Sequence, residues 1–352
     1  MKTPGLIVQQ PMRRLPQSLV INVTLQCPLK CAHCCYSSDM FQAGHLGLDD
    51  VRLAIDQAAA IPSFEIVHFV GGDPLLHPDI LNDAIQHCAR AGLQTGITTS
   101  AYWAKTPRRA QEVVQRLARS GLSELTLSYD DSHAVFIRPA YIAHAASAAM
   151  AADVPLRIAV TVEPEARITA ASLRADLGLE DAPQVKIYET AINSTGRASE
   201  TDAAALEDRR RNDAVYRGPC ESILRTFQVD HDGRVRPCCG VLPHHDALCV
   251  GGLHDGGLAK AVADAGEDAL FRWISLVGPV EILAEVTADD AEPLTPERFD
   301  GICSACDHMF RSPEMLSRVR AAADGGQETM ALMERAMGAL ADGVARAAEK
   351  AS

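Results

Sequence analysis

Residues 19–36, LVINVTLQCPLKCAHCCY, decide how this chain is read. The apolar, β-branched run from Leu19 to Leu25 predicts a buried strand. That strand delivers Cys27, Cys31 and Cys34 in the spacing C-x3-C-x2-C. Thiolates are soft ligands suited to iron–sulfur clusters, and a cluster ordinarily takes four of them. Three cysteines in one loop therefore point to a cluster with one iron open to another ligand. Zinc is the competing reading, although structural zinc favours paired C-x2-C elements that close a tetrahedral set.

Ile66 to Val70 (IVHFV) reads as the second strand, and Gly71-Gly72-Asp73-Pro74 follows it. Glycines in such a loop permit close backbone approach to a ligand. A strand with a cysteine loop, then a strand with a glycine loop, resembles the radical S-adenosylmethionine enzymes. In that family the open iron is chelated by the amine and carboxylate of the methionine. The glycine loop resembles the family's Gly-Gly-Glu-Pro motif, which implies that Gly71, Gly72, Asp73 and Pro74 hold the cofactor's amino group. Asp73 stands where the family usually has Glu, with a shorter stem and the same charge. The resemblance further implies a parallel partial barrel with its site at the C-terminal ends of the strands. It also implies reductive cleavage of S-adenosylmethionine to a 5′-deoxyadenosyl radical, which takes a hydrogen atom from substrate.

The whole chain is consistent with an enzyme of this kind. Its 352 residues are 47% apolar and 22% charged, an ordinary globular composition sufficient for about two domains. A net charge of −13, from 33 basic and 46 acidic residues, argues against a nucleic-acid surface, which must be basic. No apolar run is long enough to span a membrane, and the N-terminus lacks the apolar core of a signal peptide. Eleven cysteines without secretion signals point to metal or redox work in the cytoplasm.

The remaining pattern alternates regularly. Helices are expected over 48–60, 78–91, 107–120, 139–152 and 168–177, and strands over 93–99, 125–129, 156–162 and 185–189. The expected fold class is α/β: a partial (β/α)6 TIM-like barrel over residues 17–198, a linker over 199–217, a small α+β iron–sulfur domain over 218–311, and C-terminal helices over 312–352. Strand ends should face the cofactor. The resemblance implies cofactor contacts for Thr99, for Ser128 and Asp130, and for Arg197 in the segment Gly196-Arg197-Ala198; for the strand-end hydroxyls and Asp, turn formation is the competing reading. Glu189 is a further candidate for cofactor or substrate, and for both Glu189 and Arg197 a salt bridge within the loops is the equal alternative. Arg209 to Arg211 read as a solvated helix face.

A second group of cysteines follows. Cys220 is separated from Cys238 by a C-x12-G-x4-C arrangement, and Cys303-x2-Cys306 comes much later. A hairpin with its turn at Asp232-Gly233 would draw Cys220 and Cys238 together. The arrangement resembles the twitch/SPASM auxiliary-cluster domain of radical enzymes, which implies a second 4Fe–4S cluster on Cys220, Cys238, Cys303 and Cys306. A four-cysteine zinc site competes. Cys239, beside a presumed ligand, resembles the hydrogen-atom donor of radical peptide epimerases; equally, Cys239 is the ligand and Cys238 the spectator. Cys35, Cys88 and Cys249 read as bystanders or core thiols, and His244, His245 and His254 as surface residues. A stripe of Met330, Leu332, Met333, Met337 and Leu340 reads as a packed helix face.

The function expected from these resemblances is modification of a ribosomally made peptide, with α-carbon epimerisation by Cys239 as its specific form. The alternative is oxidation of a small molecule, as in radical dehydrogenases of the twitch class. A non-enzymatic electron-transfer or metal-storage module would not need the glycine loop. Expected partners are a peptide or small-molecule substrate and an electron donor such as flavodoxin or ferredoxin. Because few residues precede the first strand, a leader peptide would be recognised by a separate protein or by the C-terminal region.

Overall fold

The first strand, β1 (Ser18–Asn22), is the centre of the sheet, with β2 (Ile66–Val70) on one side. Leu19 and Ile21 are fully buried, and so is Val23 just beyond, as expected of a parallel strand covered on both faces. The computed structural model describes residues 15–163, 165–201, 203–211, 215–239 and 245–336.

The chain then alternates as the pattern predicts. Helix α1 (Leu48–Ala59) joins β1 to β2, and α2 (Pro78–Arg90) leads to β3 (Gln94–Thr99). Helix α3 (Pro107–Ser120) begins with Pro107 at its first position, and the Thr106 hydroxyl accepts from Arg109 N at 3.2 Å. Next come β4 (Glu124–Ser128), the one-turn α4 (Asp131–Ala134), α5 (Pro139–Ala151) and β5 (Leu156–Val162). Helix α6 (Ala170–Asp176) and β6 (Lys186–Ala191) complete six parallel β/α units. The strand order β6-β5-β4-β3-β2-β1 is that of a partial barrel left open at β6.

The sheet does not stop at β1. After α7 (Ala203–Arg210), strand β7 (Thr226–Val229) pairs in parallel with β1, Ser18 opposite Thr226. It turns back through Asp232-Gly233 into β8 (Arg234–Arg236), and β9 (Gly251–Gly252) closes the edge. The expected hairpin therefore forms, and it extends the barrel sheet to nine strands. Helices α8 (Gly257–Glu267), α9 (Ala269–Leu276) and α10 (Pro279–Val286) fill the long interval before the final cysteine pair. That pair lies on α11 (Ile302–Arg311), which is followed by α12 (Pro313–Gly325). The edge-to-face pair Phe64–Phe227 ties the approach to β2 to β7; burying each such ring contributes about 1.5–3 kcal/mol.

Two expectations need correcting. Arg209 is 5% exposed rather than on a solvated face, and it donates to Glu163 Oε1 at 2.8 Å and to the Ala198 carbonyl at 3.0 Å. The C-terminal stripe is not a uniform packed face: Met330 is buried while Leu332 and Met333 are exposed, and Met337 and Leu340 lie outside the described residues.

Candidate cluster and cofactor sites

The cysteine loop leaves the C-terminal end of β1, and the glycine loop leaves that of β2 beside it. Gly72 N donates to Thr24 O at 2.6 Å and Asp73 N to Gln26 O at 2.8 Å. A Cβ on Gly72 would lie 1.9 Å from Gln26 O. The close approach that the glycines permit is thus to the chain's own backbone, one residue before Cys27.

Cys27 and Cys31 are buried and Cys34 is half-buried, all as free thiols. Leu29 N lies 3.4 Å from Cys27 Sγ, and Ser38 N lies 3.4 Å from Cys34 Sγ. Backbone N–H groups aimed at sulfur are what a thiolate ligand needs. Burial pushes the Cys27 thiol up to about 12, and Asp73 and Cys34 add to it. Burial also raises Cys31, with Cys27, Cys34 and Asp130 contributing. Ligation to iron would displace these protons, and three soft donors carried on one loop suit a cluster. The side-chain oxygen and nitrogen of Asn22, at the end of β1, are buried without partners, as are the hydroxyls of Ser38 and Thr195. These orphaned atoms near the loop suit a polar cofactor.

Asp73 is fully buried, and its carboxylate is engaged by the chain itself. It accepts from Thr99 Oγ1 at 2.9 Å, from Ser100 N and Oγ at 3.0 and 2.8 Å, and from Leu75 N at 3.1 Å. Burial raises its carboxyl, and these hydrogen bonds oppose the rise. Asp73 and Thr99 thus join the glycine loop to the end of β3. Pro74 is buried beside them, and Ser128 is half-buried at the end of β4.

Asp130 lies at the end of β4 and caps α4, accepting from Ser132 N and His133 N at 3.0 Å. The turn-forming role is therefore present. Beyond it, both carboxylate oxygens lie 2.9 Å from His33 Nε2, and Oδ1 lies 2.9 Å from His133 Nδ1. Burial would raise this carboxyl; the two histidines outweigh burial and hold it well below the usual range. The cluster loop, through His33, is thus tied to the end of β4. A cavity of about 450 Å³ opens there, lined by Lys30, His33, Phe136, Thr161 and Glu163 among others.

Arg197 is not turned toward that cavity. Its Nη1 donates to Cys31 O at 2.7 Å, its Nη2 to Ser38 O at 2.8 Å, and its backbone N to Cys34 O at 3.0 Å. Glu189 accepts from Ala170 N at 2.6 Å, which places it at the start of α6.

The second site is made by three segments. Cys303 and Cys306 share one face of α11, a helical turn apart. Cys220 N is held by Ile274 O at 3.1 Å, and Pro237 O, next to Cys238, accepts from Leu224 N at 2.8 Å. Burial raises both thiols of α11, and each feels Cys220, Cys238 and Cys239. Cys220, Cys238 and Cys239 are thus within electrostatic reach of the thiols on α11, although among the described residues no three of these sulfurs lie within 4.8 Å of one another. Cys35, read as a bystander, is raised by burial and also feels Cys34 and Cys239. Cys88 is a fully buried core thiol as expected, while Cys249 is only half-buried, with its Sγ 3.3 Å from Gly251 O.

Several contributors escaped the sequence reading. Tyr36 OH donates to Gln228 Oε1 at 3.0 Å, Gln228 Nε2 to Asp230 Oδ1 at 2.6 Å, and Arg236 Nε to Asp230 Oδ2 at 2.6 Å. This buried polar chain runs from the first cysteine loop to the hairpin that carries Cys238. Its only signal was charge inside a short strand pair. His245 is no surface residue: it pairs with Asp307 at 2.8 Å, one residue past Cys306. His254 is exposed as expected, and His244 lies outside the described residues.

Comparison with known proteins adds to this geometry. Residues 21–144 match the model of the Radical SAM superfamily. A putative peptide biosynthesis protein, YydG of Bacillus subtilis (strain 168), is 22% identical over 317 residues, covering 86% of this chain and 94% of its own. PqqA peptide cyclase of Rhodopseudomonas palustris is 29% identical over 121 residues, 34% of this chain and 30% of that protein. AdoMet-dependent heme synthase of Methanosarcina barkeri is 32% identical over 124 residues, 35% of this chain and 34% of that protein. The chain thus spans nearly all of the first relative and about a third of the other two. Among solved structures, BtrN in complex with AdoMet and 2-DOIA is 12% identical with a TM-score of 0.43, covering 81% of this chain and 98% of that one. No helix among the described residues is long and apolar enough to cross a membrane.

Proposed function

We propose, from the premise that residues 21–144 make this chain a member of the Radical SAM superfamily, that it modifies a peptide by inverting an α-carbon. The family works with a 4Fe–4S cluster and S-adenosylmethionine, which together supply the carbon radical that removes a substrate hydrogen atom. In this reading Cys27, Cys31 and Cys34 hold that cluster. Gly71, Gly72, Asp73, Pro74, Thr99, Ser128 and Asp130 surround the cofactor, within a barrel over 17–198, and Arg197 holds the cysteine loop beside it. A second cluster rests on Cys220, Cys238, Cys303 and Cys306, within the region 218–311.

The observation that carries the peptide reading is the match to a putative peptide biosynthesis protein across 86% of the chain, far beyond residues 21–144. Epimerisation is favoured by Cys239, a fifth thiol adjoining Cys238, one of the four proposed ligands. The substrate Cα–H bond breaks and its hydrogen atom leaves with the cofactor-derived carbon. The Cys239 S–H bond then breaks and a new C–H bond forms on the opposite face. The resulting cysteinyl radical takes up an electron and a proton to regain the thiol, the electron coming from a donor such as flavodoxin or ferredoxin. A separate protein that recognises the leader peptide completes the proposed set of partners.

The test is turnover in deuterated water. One deuterium at an inverted α-carbon, lost in Cys239→Ala while 5′-deoxyadenosine still forms, is the expected result. A product two electrons more oxidised than substrate, with no solvent deuterium, would overturn epimerisation in favour of dehydrogenation.

A further inference from the structure

We propose that Arg197 is a positioning residue of the first cluster, which fixes the path of the cysteine loop and raises the cluster's reduction potential. The first half of this role rests on hydrogen bonds. The guanidinium donates to Cys31 O and Ser38 O at 2.7 and 2.8 Å, spanning the carbonyls on either side of Cys34 with two separate nitrogens. The neighbouring backbone takes part, since Arg197 N donates to Cys34 O at 3.0 Å. Gly196, at φ +55°, sits so close that a Cβ there would lie 2.2 Å from Cys35 O. The turn after β6 is therefore moulded onto the loop that carries the ligands, from the far edge of the open barrel.

The second half rests on charge. Among the described residues no carboxylate forms an ion pair with Arg197, so its positive charge is not cancelled locally. Two buried carboxylates, Asp73 and Asp130, act on the cysteines of this loop in the opposite sense. Each electron added to an iron–sulfur cluster adds negative charge, and a nearby cation favours the reduced state. A planar guanidinium suits the place because it serves two acceptors in fixed geometry and keeps its charge at any pH.

The same segment offers an internal control. Arg209 is as deeply engaged as Arg197, holding Ala198 O, Ser194 Oγ and Glu163, and it donates to nothing in the cysteine loop. A purely structural role for this segment predicts the same consequences for both arginines.

The experiment is an anaerobic redox titration of the reconstituted holoenzyme, following the electron paramagnetic resonance of the first cluster, which is identified by its change on adding S-adenosylmethionine. Arg197→Gln is expected to shift the reduction equilibrium about tenfold toward the oxidised state, which is ~59 mV for a one-electron couple. Arg197→Lys restores at least half of that shift, and Arg209→Met leaves the potential at the wild-type value while lowering the melting temperature. An unchanged potential in Arg197→Gln, or an equal shift in Arg209→Met, overturns the proposal. If Arg197→Gln holds no iron, Arg197→Lys decides: a near wild-type potential supports the role, and a full tenfold shift overturns it. The reading depends on the cluster and not on substrate or Cys239, so its failure is distinguishable from failure of epimerisation.

Discussion

Arg236 and Asp230 face one another across the β7–β8 hairpin in an ion pair of 2.6 Å, with the arginine at 0% exposure. The pair sits two residues before Cys238, and Arg236 Nη1 also holds His245 O. Removing one member of a buried pair leaves the other charge uncompensated, which costs about 3–5 kcal/mol, whereas replacing both by apolar residues is far milder. Arg236→Met is therefore expected to lower stability by about that amount and to lose iron from the second site. Arg236→Met with Asp230→Leu should recover most of the stability. Urea unfolding and iron analysis of the three proteins check this.

Gly72 predicts a second loss of stability. A side chain there meets the Gln26 carbonyl, which is backbone and cannot swing aside. Gly72→Ala should cost about 3–4 kcal/mol and weaken iron binding at the adjoining cysteine loop. A melting temperature within a degree or so of wild type would contradict the packing described.

His68 makes stability depend on pH. Burial, with the charge of Arg157 adding to it, holds the imidazole at about 4, below its ordinary 6.5. The unfolded chain therefore binds a proton that the folded chain refuses. Stability is full above pH 6.5, declines as the pH falls from 6.5 to about 4, and levels off below that. The decline attributable to this residue is about 3 kcal/mol. His68→Met should flatten that part of the curve, measured as urea midpoints across the pH series.

Metal content separates the two cysteine groups. Wild type should carry about eight irons, and the Cys27, Cys31, Cys34 triple alanine variant about four, with no cleavage of S-adenosylmethionine. Zinc in place of the remaining four would make the C-terminal cysteines a structural site. Comparing Cys238→Ala with Cys239→Ala identifies the ligand, since only its loss removes the second cluster.

Much of this was legible beforehand. The alternation of strands and helices set the six β/α units to within a few residues, the largest miss being the end of β1, expected at Leu25 and found at Asn22, because period-2 and period-3.6 patterns report directly on burial. Turn chemistry at Asp232-Gly233 announced the hairpin. What misled was charge: Arg209 looked solvated because arginine on a short polar helix usually is, and only the docking of α7 against Glu163 buries it. Arg197 was singled out by its resemblance to a family Gly-Arg-Ala segment, and the structure adds that its guanidinium partners are carbonyls more than 150 residues earlier in the chain.

By itself, then, the sequence determined the elements and the class of chemistry and pointed to the two cysteine sets, since these depend on local pattern and on ligand type. The tertiary structure decided which polar groups serve one another. It took Asp73 into the chain's own hydrogen bonds, brought His33 and His133 onto Asp130, and set Arg197 on the cysteine loop. The physical reason is that a buried donor or acceptor must find its partner wherever the fold puts one, and spacing along the chain carries no record of that.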